Sequence, residues 1–164
     1  MKARFAVVGL VLSVLVGACR SGPSHDAQWM SSELGVPSEN VLWAVSGQEL
    51  QRMGYPVGSD ANPQSLLMTS GWRTMLAPFR GQGYRERAEI KFSKVAPDRY
   101  KVDVRIAKEI NNDLVSPLDP GHAKWESTGD NTESAQILLH RIRARLGDPL
   151  ELKAPKAKSA GAKP

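Results

Sequence analysis

Residues 84–110 read YRERAEIKFSKVAPDRYKVDVRIAKEI, and their alternation decides the fold. From Tyr84 to Lys94 the apolar Ala88, Ile90 and Phe92 hold even positions, while Arg85, Arg87, Glu89 and Lys91 hold odd ones. From Tyr100 to Ile110 the pattern repeats, with Tyr100, Val102, Val104 and Ile106 against Lys101, Asp103 and Arg105. Period two over this length predicts two strands, each with one buried face and one wet face. Val95-Ala96-Pro97-Asp98-Arg99 is a turn-rich join, so the two strands read as an antiparallel hairpin. Matching faces requires paired residue numbers to sum to an even value, because a slip of one residue turns every side chain over. A sum of 194 sets Phe92 against Val102, Ile90 against Val104, Lys91 against Asp103, Glu89 against Arg105 and Arg85 against Glu109. A sum of 196 sets Lys91 against Arg105. Opposite charges across strands contribute about 0.2 to 1 kcal/mol each and like charges oppose, so 194 is the expected register.

Outward from the hairpin, Ser38 is placed to cap a helix from about Glu39 to Met53 that Gly54 ends. Val41, Leu42, Val45, Leu50 and Met53 form its apolar stripe, and Trp43 flanks it. Tyr55-Pro56-Val57 follows as a short extended piece, then a turn cluster over 58–63 and a strand from Leu66 to Trp72 carrying Leu66, Met68 and Trp72 on one face. After the hairpin, residues 111–124 (NNDLVSPLDPGHAK) form a long polar connection, of a length that marks a mobile or functional loop. Trp125 starts a short further strand, and Asp130 with Glu133 has capping-box spacing before a helix of about 131–146. Ala135, Leu138, Leu139, Ile142 and Leu146 are its apolar stripe. The order predicts a two-layer α+β domain over 39–152: an antiparallel meander of three to five strands with both helices on one face. Trp72 and Trp125 are expected in the core.

The N-terminus carries a different signal. Lys2 and Arg4 precede an apolar stretch from Phe5 to Val16, which is about 12 residues and short of the roughly 20 that span a bilayer. The stretch ends in Val16-Gly17-Ala18-Cys19. This resembles the lipobox of bacterial lipoprotein signal peptides, with an aliphatic residue three before the cysteine and small residues next to it. The resemblance implies a signal peptide over 1–18, recognition by the signal peptidase at Val16, Gly17 and Ala18, and lipidation of Cys19. A thiolate is the soft nucleophile that such alkylation needs. Arg20, rather than Asp, after the cysteine implies by the same resemblance the periplasmic face of an outer membrane. Residues 19–38 are expected to be the lipidated cysteine and a flexible tether. Within it, either Asp26 caps a two-turn helix with Ala27, Met30 and Leu34 on one face, stopped by Gly35, or the segment is disordered around Trp29.

The chain's 164 residues carry a net charge of +5, which invites a nucleic-acid reading. The distribution argues against one. Residues 1–18 hold +2 and the Lys/Ala/Pro tail 153–164 holds +4, leaving −1 on 19–152. The tail lacks bulky apolar residues and is expected to be disordered, free to touch anionic lipid or wall polymer. Cys19 is the sole cysteine, so its lipidation leaves no thiol for a disulfide, a nucleophile or a metal site. His25, His122 and His140 lack metal-ligand spacing, and no cofactor motif is present. His122 near Asp119 reads either as a supported base or as an ordinary loop residue. Arg73, Arg80, Arg85 and Arg87 read either as an anion patch, which Glu86 and Glu89 interrupt, or as a solvated sheet face.

The domain loosely resembles the helix-grip-like domains of the C lipoprotein of the beta-barrel assembly machinery. The Trp43 helix, GYPV at 54–57, the strand with Thr69 and Trp72, and YRERAEIKF carry that resemblance. It implies an accessory role in envelope assembly, and no residue roles pass with it. The expectation is therefore a non-enzymatic, lipid-anchored envelope module that meets a protein partner through the long loop or a strand edge. Leu114, Val115, Leu118 and Trp29 are the candidate contact residues; the three loop residues read either as a partner contact or as folding back on the sheet. The alternative is a carrier or sensor of a small apolar or anionic ligand held between sheet and helices.

Overall fold

The computed structural model of the protein describes residues 25–56, 58, 66–76 and 82–147. The expected signal peptide 1–18, the lipobox-like Val16–Cys19, Arg80 and the tail 153–164 lie outside the described residues. The elements run β1 (Met30–Gly35), α1 (Glu39–Arg52), β2 (Leu67–Thr69), β3 (Arg73–Met75), β4 (Tyr84–Ala96), β5 (Arg99–Asn111), β6 (Trp125–Asp130) and α2 (Thr132–Arg145). All six strands form one antiparallel sheet. β4 and β5 are its centre, β2 and β3 share the far side of β4, and β1 and β6 share the far side of β5.

The hairpin has the expected register over most of its length, with Phe92 opposite Val102, Ile90 opposite Val104 and Glu89 opposite Arg105. A shift between Lys94 and Ala96 lets the chain turn through Pro97 and Asp98. Asp98 takes φ 58°, a left-handed conformation that Asp tolerates better than most residues. Ala88, Ile90, Phe92, Tyr100, Val102, Val104 and Ile106 are buried on the inner face. Both helices cover that face. Leu42 and Leu50 of α1 and Ala135, Leu138, Leu139 and Ile142 of α2 join the same core, and Trp43 packs on Phe92 with ring centroids 5.6 Å apart. The domain is thus the expected two-layer α+β arrangement, with six strands rather than three to five, because residues 30–35 add β1 and the 67–75 segment splits into β2 and β3.

Several local expectations are corrected. Residues 30–35 are a strand paired with β5 along Met30–Val104 to Gly35–Arg99, neither helix nor free tether. Leu34 and Val36 are buried in the core, so the domain begins well before residue 39. Leu66–Trp72 is not one strand, because Ser70-Gly71-Trp72 separates β2 from β3. Pairs sum to 158 in β2 (Leu67–Lys91) and to 159 in β3 (Arg73–Glu86), a slip of one residue. Ser70 bridges the slip: its N–H donates to the Ala88 carbonyl at 2.9 Å, while its Oγ accepts from the Ala88 N–H at 2.9 Å. The slip turns Trp72 to the outer face and Arg73 to the inner one. Trp125 opposes Asn111 and is likewise on the outer face, half-buried rather than in the core. The cap of α2 is Asn131, whose side chain accepts from the Ser134 N–H at 3.0 Å. Asp130 is committed elsewhere, to Arg105. Val41, expected on the apolar stripe of α1, is exposed.

Candidate functional site

The long loop leaves β5 at Asn111 and returns at Lys124, and its geometry is set by two buried side chains. The Asn111 Oδ1 accepts from the Asp113 N–H at 2.9 Å and the Lys124 N–H at 3.0 Å, and its Nδ2 donates to the Pro117 carbonyl at 3.3 Å. The Asp113 carboxylate accepts from the N–H groups of Val115, at 3.3 Å, and Ser116, at 3.1 Å. The Asn112 N–H closes the neck on the Lys124 carbonyl at 2.9 Å. Short polar side chains that bond nearby backbone are how Asn and Asp fix turns. The result is a braced loop that holds its apolar residues outward: Leu114 is 81% exposed, Val115 90% and Leu118 53%. They do not fold back on the sheet.

Farther along the loop, His122 Nδ1 lies 2.7 Å from an Asp119 carboxylate oxygen. That hydrogen bond, with a second from the Gly121 N–H, holds the Asp119 carboxyl below its usual range. Both side chains face solvent, and among the described residues no group of three or more His, Cys, Asp or Glu gathers as for a metal. His140 is an exposed residue of α2.

The outer sheet face carries three of the chain's four tryptophans. Arg85 lies between two of them, 4.3 Å over the Trp72 ring and 4.7 Å over the Trp125 ring, and pairs with Glu109 at 2.5 Å. Arg87 also stacks on Trp72, at 4.9 Å. Cations over aromatic faces are attracted by the ring quadrupole. Trp29, the fourth candidate contact residue, is half-buried on this face with Lys91 4.0 Å over its ring. Of the charge pairs expected from register, Arg85–Glu109 forms and Arg105–Glu89 forms at 3.5 Å, but Lys91 is drawn to Trp29. Asp103 instead meets Lys101 at 3.0 Å and the Ser31 hydroxyl. The four arginines do not make one patch, since Arg73 is on the other face and Arg80 lies outside the described residues.

The inner face holds a polar cluster that sequence reading missed. Glu86 is almost fully buried and receives Arg73 Nη2 at 2.5 Å, Asn131 Nδ2 at 2.7 Å and the Tyr55 hydroxyl at 3.2 Å. Arg73 also stacks 4.5 Å over the Tyr55 ring and donates to the Met53 carbonyl at 2.7 Å. Burial, then the Glu86 charge, pushes the Tyr55 phenol above its usual range. Burial pulls the Arg73 guanidinium down, but its bond to Glu86 and the surrounding negative groups raise it overall. The cluster ties the end of α1, β3, β4 and the start of α2 together. Its one advance signal was an acid at an even position of the hairpin.

A slot at the α1–β2 margin, lined by Trp43, Gly47, Leu50, Tyr55, Met68 and Thr69 among others, holds about 120 Å³.

No protein-family model matches the chain, and no curated protein matches it. Among solved structures, the adenylate sensor from AMP-activated protein kinase, crystallised with 5-aminoimidazole-4-carboxamide ribofuranotide, aligns at a TM-score of 0.39 and 14% identity. The alignment covers 68% of this chain and 93% of that one. A likeness at that level carries no argument about fold or function.

Proposed function

We propose that the chain is a lipid-anchored cell-envelope lipoprotein, held by Cys19 at the periplasmic face of an outer membrane, whose domain is a non-enzymatic interaction module. The observation that carries the reading is the braced loop. A soluble domain gains nothing by fixing Leu114 and Val115 at 81% and 90% exposure, whereas a contact surface gains a pre-ordered apolar anchor with little entropy left to lose. A strand edge, either β1 with β6 or β2 with β3, is left for a protein partner of the envelope. The module needs no cofactor. The carrier alternative calls for a sizeable enclosed hollow between sheet and helices; the α1–β2 slot holds about 120 Å³, below the roughly 300 to 1,000 Å³ of ligand sites, and the wider depression of about 610 Å³ at Lys108, Thr128 and Glu133 is open to solvent.

The test is labelled palmitate in cells making the wild type or Cys19→Ser, joined to crosslinking in intact cells. The reading expects label in the wild type only, together with a stoichiometric envelope partner. Equal labelling of both proteins, or a wild type that captures nothing, overturns it.

A further inference from the structure

We infer that the Leu114–Leu118 loop inserts into the same bilayer that holds Cys19, giving the domain a second membrane contact that fixes its orientation; the inference rests on the lipid-anchor reading above. The argument concerns which end of the sheet faces the anchor. One end of the β4–β5 hairpin is the Pro97–Asp98 turn. The other is where Tyr84 opposes Ile110 and Met75, and where Asn111 opposes Trp125. The braced loop projects from this second end. Met75, 49% exposed, is at the same end of the sheet, opposite Tyr84.

The chain meets the domain toward this end too. β1 runs antiparallel to β5, with Gly35 near the turn and Met30 opposite Val104. Traced backward from Met30, the Gln28 N–H donates to Asp130 Oδ2 at 2.6 Å. The His25 ring then lies against Gly129, within about 4 Å of where a β-carbon there would stand. Gly129 is the partner of Lys108, three residues from Asn111 on β5. At about 3.4 Å per residue, residue 25 is therefore roughly 10 Å along the strand from the base of the loop. Only five residues lie between Cys19 and His25, a reach of at most about 22 Å. A strand of 13 residues such as β5 is about twice that long. A domain held on so short a leash presents the loop end to the bilayer, with the hairpin turn away from it.

The chemistry of the rim agrees with a lipid surface. Leu114, Val115, Leu118 and Met75 supply apolar side chains for the acyl boundary. Tyr84, with Lys108 5.0 Å over its ring, and Trp125 are amphipathic aromatics of the kind enriched at membrane–water interfaces. Asp119, Glu126 and Lys124 share the rim, so the charges there are mixed. The contact is therefore insertion of apolar side chains and not adhesion of a basic patch, and salt leaves it in place.

A spin label at one new cysteine in the full lipidated chain tests this, since Cys19 would itself be blocked as a thioether. Val115→Cys and, at the opposite end, Val95→Cys are labelled and reconstituted into vesicles of phosphatidylethanolamine and phosphatidylglycerol. The label at 115 should show a several-fold higher ratio of oxygen to nickel-chelate collisions than the same label in a Cys19→Ser background, with position 95 unchanged. Equal nickel accessibility at 115 and 95 overturns the inference. So does a photo-crosslinker at 115 that captures a protein rather than lipid in intact cells. Palmitate labelling separates the two failures: an unlabelled wild type overturns the anchor and this inference together, whereas a labelled protein with a wet position 115 overturns this inference alone.

Discussion

Glu86 shows how much a single side chain can organise. Its carboxylate sits among apolar neighbours on the helix-covered face, and it is tolerated because Arg73, Asn131 and Tyr55 all donate to it. A buried charge without partners is expensive, and removing one member of such a set strands the others. Glu86→Ala is expected to cost about 3 kcal/mol, read as a lower midpoint in urea melts with an unchanged slope. A loss under 1 kcal/mol would mean that water reaches Arg73 and satisfies it. The acid at an even position was visible in the sequence, but its partners were not. Arg73 reaches it only because the chain slips by one residue at Ser70-Gly71-Trp72, and Asn131 arrives from 45 positions away.

At the scale of elements, the hairpin was legible because its pairing is local and its charges discriminate between registers. β1 was not. Ala27, Met30 and Leu34 fit a helical stripe, and Met30, Ser32, Leu34 and Val36 fit a strand equally well. Pairing with β5, some 70 residues distant, decides between them, and tertiary contact overrides a weak local preference. Leu34→Ala tests whether β1 belongs to the cooperative unit. Truncating a fully buried leucine costs about 2 to 5 kcal/mol, whereas in a free tether it costs nothing. Thermal and chemical melts of the full chain give the answer directly. In the loop, the exposure of Leu114 and Val115 had been one of two open readings. The Asn-Asn-Asp run at its start was the signal that could have settled it, since these residues brace turns by bonding their own backbone.

The whole molecule is a sheet with unequal faces and unequal centre and margins. β4 and β5 each have neighbours on both sides, whereas β2 and β3 are three residues each and lie at an edge. Amides of Ala88, Ile90, Val102 and Val104 should therefore exchange with solvent slowest, and those of β3 and of residues 114–118 fastest. Comparable protection in β3 and in the hairpin would show that the sheet opens as one unit instead. The inner face is closed by two helices. The outer one is closed by its own residues, through indole rings lying under arginine and lysine heads, an arrangement that sequence alternation labels merely wet.

β1 gives the fold a mechanical property as well. The segment before Met30 leads straight into a six-residue ladder on the central strand β5, so tension applied to it enters through that ladder. A pull along the strand loads the ladder's hydrogen bonds together, in shear, because they lie across the strand direction. A pull away from the sheet opens them in turn from Met30, as a zip does. The first link to bear load in either case is Gln28 on the Asp130 carboxylate, which Arg105 of β5 also grips at 2.8 Å. Force from the N-terminal side is thereby handed to the best-supported strand in the domain, and the helices are spared.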